Sequence, residues 1–212
     1  MTAVGDGVLH VGDIAAVDEA VRRHLAARER VVAEGSHRRA GVAVTVYPRR
    51  GEPHLLVIKR SFAGRNAGQW ALPGGRVEEH ESAVDAALRE LAEEAGISAG
   101  PEDVAGVLDD LVTGSGFVIT PVVVVLRDAV RPRRDPHEVH SLHPVALRRL
   151  MSPSVPRWRR QPAGDPLLQM PLRHDMVIHA PTGAIIWQFR EVALLGAEVG
   201  TADVLQPDWT HT

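Results

Sequence analysis

The stretch GRVEEHESAVDAALRELAEEAGI, residues 75–97, decides how the rest of the chain is read. Ser82 can cap a first helical turn, with Asp85 three residues on as the capping-box partner in aspartate form. Val84, Leu88, Leu91 and Ala95 follow at steps of four, three and four and draw one apolar stripe. Gly96 offers a left-handed stop, and Ile97 is placed to fold back on the last turn. The spacing predicts a helix over 82–95. On its other face Glu90 and Glu94 lie about 40° apart, with Glu93 about 60° to the side of Glu90. Three carboxylates on one patch repel by about 0.2–0.5 kcal/mol per pair, at the helix end that favours cations. An acidic helix end is by itself also the mark of a solvated surface. An oxygen-only cluster nevertheless suits a hard cation such as magnesium or manganese, and Arg89 can hold one of the glutamates by a forked pair.

Upstream of this helix, 41–47 alternates and is rich in valine, 48–53 holds turn residues, and 55–58 is a second β-like run; together they predict a hairpin. A glycine-rich stretch, 64–75, leads into the helix. Ile14, Val17, Val21 and Leu25 predict an amphipathic helix starting near Asp13. Downstream, 104–112 and 117–126 read as strands around Thr113-Gly114-Ser115-Gly116. Beyond Arg127 the chain is polar and proline-rich, with a short helix expected at 145–150 and a loop at 152–166. Residues 176–179, 184–189 and 192–195 read as a closing hairpin and helix. Strands, one long helix and more strands make an α/β chain, divided as an N-terminal helical extension (1–35), a central domain (36–195) and a tail (196–212).

The 212 residues carry 24 basic and 27 acidic side chains, and Lys59 is the only lysine. That balance argues against a general polyanion binder, so Arg157-Trp158-Arg159-Arg160 reads as an exposed loop rather than a nucleic-acid interface. Cysteine is absent, which removes disulfides, thiolate metal sites and cysteine nucleophiles. No apolar run approaches the roughly 20 residues of a membrane span, and no secretion signal is read at the start, so no membrane partner and a cytoplasmic location are expected. His137, His140 and His143 recur at three-residue steps but lack the HExxH spacing of helical zinc sites.

Gly75, Glu81, Arg89, Glu90, Leu91, Glu93, Glu94, Gly96 and Ile97, at their spacings, resemble the Nudix box at every specified position. The resemblance implies an α/β/α sandwich with a mixed sheet and a hydrolase of nucleoside diphosphates linked to another group, using Mg2+ or Mn2+. It implies Glu90, Glu93 and Glu94 as metal ligands, Glu81 as an auxiliary acid beside them, and Arg89 as their orienting partner. Gly74 and Gly75 would let the backbone turn tightly into the helix. The resemblance leaves the general base open between a box glutamate and an acid of a later loop, for which Glu138 is the candidate.

Lys59-Arg60-Ser61, Arg65 and the segment 68–75 resemble the extra signature of the coenzyme A pyrophosphatase branch. Leu108-Asp109, 115–118, 120–122, Glu138-Val139 and Ile186-Trp187 also resemble that branch. The chain departs from its pattern in a gap one residue short between Arg65 and Gly68, in Leu72 where phenylalanine is usual, and in Gln188 where glycine is expected. Arg60 and Arg65 are then expected to grip phosphates by bidentate hydrogen bonds, with Gly74 and Gly75 beside the substrate. NADH, ADP-ribose or an oxidised nucleoside triphosphate remain alternative substrates. A nucleotide-sensing module without catalysis is a third reading, against which stand the three crowded glutamates. A homodimer is open to the N-terminal helix and to the segment after Arg127.

Overall fold

Side chains alternating along the first long strand build two cores at once. Ala43 and Tyr47 enter one apolar cluster, while Val44 and Val46 enter another. In the computed structural model, which describes residues 11–35, 38–62, 67–160 and 166–200, this strand is β1 (Arg38–Arg49), preceded by α1 (Ile14–Ala26). α1 starts where the sequence predicts, and Asp13 caps it, its side chain accepting from the Ala15 amide. β1 turns through Arg50 and Gly51, both at positive φ, into β2 (Glu52–Arg60), so the expected hairpin forms with a two-residue turn. Two short strands, β3 (Trp70–Ala71) and β4 (Gly74–Arg76), lead to α2 (Ala83–Ala95). β5 (Val104–Val107), β6 (Leu111–Val112), β7 (Phe117–Val125), β8 (Val139–Ala146) and α3 (Leu147–Leu150) follow. β9 (Arg157–Arg159), β10 (Leu167–Arg173), β11 (Met176–Ile178) and α4 (Thr182–Gln188) close the chain, with a wider helical segment at Phe189–Leu194.

The main sheet is mixed. β1 runs parallel to β7 and antiparallel to β2 and β4, while β5 and β6 flank β7 and β8 flanks β2. α2 covers one face, where Leu91, Ala95 and Ile97 meet Ala43, Tyr47, Leu56, Val122 and Val124. The opposite face is covered by α1, α4 and the following helical segment, through Val17, Val21, Ile185, Phe189 and Val192. The result is an α/β/α sandwich, and β9, β10 and β11 form a separate three-stranded sheet beside it.

Four sequence expectations are corrected. Residues 104–112 are two strands rather than one, because Asp109 and Asp110 leave the ladder and turn inward. Asp109 takes Arg28 at 2.8 and 3.0 Å, and Asp110 takes Thr120 at 2.7 Å. The polar segment after Arg127 contains β8, whose histidines and Pro144 hide its pattern; among the described residues it pairs with β2 alone. The partner of the strand at 176–178 is β10, and 184–189 is helical. The loop expected at 152–166 holds β9, an exposed strand paired with β10. Arg65 and most of the expected tail lie outside the described residues.

Candidate active site

α2 is fixed at both ends by its own sequence. Ser82 and Asp85 exchange hydrogen bonds at 3.1 Å in a capping box, and Gly96 stops the helix at φ 63°. The helix lies directly on β1, since a Cβ on Gly41 would stand 2.1 Å from the Ala83 carbonyl. β4 then passes under the acidic face of α2. The amide of Gly74 donates to Glu94 Oε2 at 3.0 Å, and a Cβ on Gly75 would fall 1.8 Å from Glu90 Oε1. Only glycine leaves room for that glutamate.

Glu94 is 1% exposed. Burial pushes its carboxyl up to about 7, although Arg60 at 3.6 Å and the Gly74 amide favour the charged form. Its Oε1 has no hydrogen-bond partner. Glu90, half-buried, is also raised by burial, with Arg89 opposing and Glu93 and Glu138 adding to the rise.

Arg89 holds three glutamates rather than one. Its Nε donates to Glu81 Oε1 at 2.9 Å, and Nη1 donates to Glu90 Oε1 at 2.9 Å and Glu93 Oε2 at 3.1 Å. The guanidinium keeps Glu81 below the usual carboxylate range, and Glu81 in turn strengthens its positive charge. Glu81 and the exposed Glu93 are therefore placed on Arg89.

The converging carboxylates are Glu90, Glu94 and Glu138, with one oxygen from each within 4.8 Å of the others. Glu138 comes from the loop before β8, which is stitched to the end of α2. Arg133 N donates to the Ala95 carbonyl at 2.7 Å and Asp135 N to the Glu94 carbonyl at 3.2 Å. The Ser61 amide holds the Glu138 carbonyl at 2.9 Å. These backbone anchors escaped the sequence reading, since an amide contact leaves no mark on residue type. A buried oxygen that makes no hydrogen bond, among further carboxylates, is an oxygen-only donor set, and it fits a hard divalent cation. The histidines serve otherwise: His140 packs edge-on against Phe62, and His143 against Trp70 while bonding Ser141.

Fold and site together define an α/β/α sandwich that gathers acidic side chains where one helix end meets a glycine-rich strand. Residues 37–164 match the NUDIX domain family. Over 114 residues the chain is 38% identical to the Nudix hydrolase NudL of Escherichia coli strain K12, a match covering 53% of this chain and 59% of NudL. NudL of Shigella boydii serotype 18 is 37% identical over the same length. The chain thus spans about three-fifths of the length of the curated relatives it matches. Among solved structures, a MutT/nudix family protein from Enterococcus faecalis aligns with TM-score 0.54 at 16% identity, over 91% of this chain and 75% of that one. The Nudix hydrolase RenU from M. smegmatis aligns with TM-score 0.50 at 20% identity, over 79% of this chain and 92% of that one. At these identities the likeness is one of fold. The chain belongs to the NUDIX domain family.

Proposed function

We propose that the protein is a divalent-metal-dependent hydrolase of a diphosphate joining a nucleoside to another group, with coenzyme A or a derivative as substrate. The convergence of Glu90, Glu94 and Glu138, with a buried Glu94 oxygen that makes no hydrogen bond, carries this reading. Glu90 and Glu94 would hold Mg2+ or Mn2+, with Glu138 facing them. The bound cation would neutralise diphosphate charge and acidify a coordinated water. Glu138, exposed on its loop, accepts the proton of the attacking water as its oxygen bonds to phosphorus and the bridging oxygen leaves. Arg89 keeps Glu90 and Glu93 oriented, with Glu81 locking the guanidinium from the far side. Arg60 stands beside Glu94, where its fork can turn to a substrate phosphate. The coenzyme A assignment rests on the sequence signature around Lys59-Arg60-Ser61 and 68–75.

Hydrolysis of coenzyme A, NADH, ADP-ribose and 8-oxo-dGTP, with and without magnesium and with products read by mass, tests both levels. Metal-dependent cleavage of coenzyme A to 4′-phosphopantetheine and 3′,5′-ADP is expected. Preference for another member would discard the coenzyme A assignment, and metal-dependent binding without cleavage would discard the hydrolase.

A further inference from the structure

Arg49, His54, Arg148, Arg149, Ser152 and Arg173 line a cavity of about 480 Å³ where β1, β2 and β8 meet α3 and the end of β10. Its charge is unbalanced. Among the described residues one ion pair forms there, between Arg148 and Glu52. Arg149 spends its donors on the carbonyls of Pro171 at 2.7 Å and Leu172 at 3.2 Å and on the hydroxyls of Ser152 and Ser154. Arg173 donates to the Pro144 carbonyl. These partners are neutral, so they orient the guanidinium groups without cancelling their charge. Arg49 is exposed at the rim, and no carboxylate pairs with it among the described residues.

Arg49, Arg149 and Arg173 line one cavity with no carboxylate paired to them among the described residues, and an anion seated among them would meet that positive charge. A guanidinium fork matches the oxygens of a phosphate, and Arg49, exposed and without a carboxylate partner among the described residues, can present one, while Arg149 and Arg173 add positive charge from guanidinium groups held by neutral acceptors. The volume falls within the roughly 300–1,000 Å³ of small-molecule sites, so there is room for more than a bare ion. The cavity is also remote from the carboxylates. His54 faces Ala146 at one end of the β2–β8 pairing, while Arg60 faces Val139 at the other, beside Glu138. Six residues of strand separate the two ends by about 20 Å.

We propose that this cavity binds a small phosphate-bearing anion, inorganic or carried on a nucleotide, at a place distinct from the carboxylate cluster. The site is independent of the hydrolytic reading, because its residues take no part in that cluster.

Calorimetric titration of the full chain, freed of metal by a chelator and kept at physiological salt, tests it with inorganic phosphate, pyrophosphate and AMP as probes. At least one probe is expected to bind below millimolar concentration. The double variant Arg49→Gln, Arg173→Gln should weaken that binding by about tenfold or more, and Arg60→Gln should leave it in place. Tighter binding of AMP than of the inorganic probes makes a nucleotide the source, and tighter binding of either inorganic probe makes it a free anion. Should circular dichroism show the double variant unfolded, Arg49→Gln alone, at the exposed rim, serves instead. Absence of binding by every probe would overturn the proposal. So would binding that survives the arginine substitutions or is lost with Arg60→Gln.

Discussion

Glu94 concentrates the cost of the site in one side chain. Its carboxyl, raised from 4.5 to about 7, holds a proton in the folded chain where the unfolded chain has already lost it. Between those values the folded state binds more protons, so the metal-free protein loses stability as pH rises from about 4.5 through 7. The size of the shift corresponds to a cost on the order of 3 kcal/mol. Thermal unfolding in chelator across this range should show the midpoint falling as pH rises, and a rise would contradict it. The same proton must leave before a cation binds, so Mn2+ affinity should climb with pH and level off above 7, with proton release visible in calorimetry. Glu94→Gln keeps the shape and removes the charge. It should raise the metal-free midpoint at pH 8 and lower turnover by about a hundredfold or more. Gly75→Ala presses a methyl onto Glu90 Oε1 and should cost more than tenfold in turnover while the fold survives. Helix spacing puts Glu90, Glu93 and Glu94 on one patch beside Arg89, and the resemblance to the Nudix box is what implies their roles. The burial of Glu94 is not legible there, because its i, i+4 position beside Glu90 predicts an equally wet carboxylate, whereas β4, Arg60 and the segment at Asp135 all come to lie against it.

At the scale of elements, α2 shows how far local rules reach. Its cap at Ser82, its box with Asp85 and its stop at Gly96 all stand where the residues place them. Ser82→Ala should therefore cost about 1 kcal/mol, read as a shift in the denaturation midpoint, and leave turnover nearly unchanged. Strand β8 shows the opposite. Its polar run, with Ser141, His143 and Pro144, carries little alternation, and it is a strand because β2 offers it a ladder. β5 and β6 fail as one strand for a similar reason: the valines and leucines of 104–112 read as continuous, whereas Asp109 and Asp110 are pulled inward by arginines far away in sequence.

For the whole molecule, those aspartates tie the N-terminal segment to the sheet. Asp109 receives Arg28, the Val31 amide and the buried Gln188 amide, the last at 2.6 Å, so one carboxylate links the segment after α1 to α4. Asp109→Ala leaves four donors on three residues without their acceptor and should cost about 3–5 kcal/mol in chemical denaturation. No sequence pattern announces this link, because Arg28, Asp109 and Gln188 lie in three separate segments. The same is true of the cluster itself. Two of its carboxylates come from one helix, and the third arrives on a loop 44 residues after Glu94, carried there by β8 and by backbone bonds to the helix end. Electron paramagnetic resonance of Mn2+ bound to the wild-type chain and to Glu94→Gln and Glu138→Gln tests that assembly most directly. The account predicts one bound ion in the wild type, with affinity lowered by about tenfold or more in Glu94→Gln and measurably in Glu138→Gln. Unchanged Mn2+ affinity in both variants would contradict it.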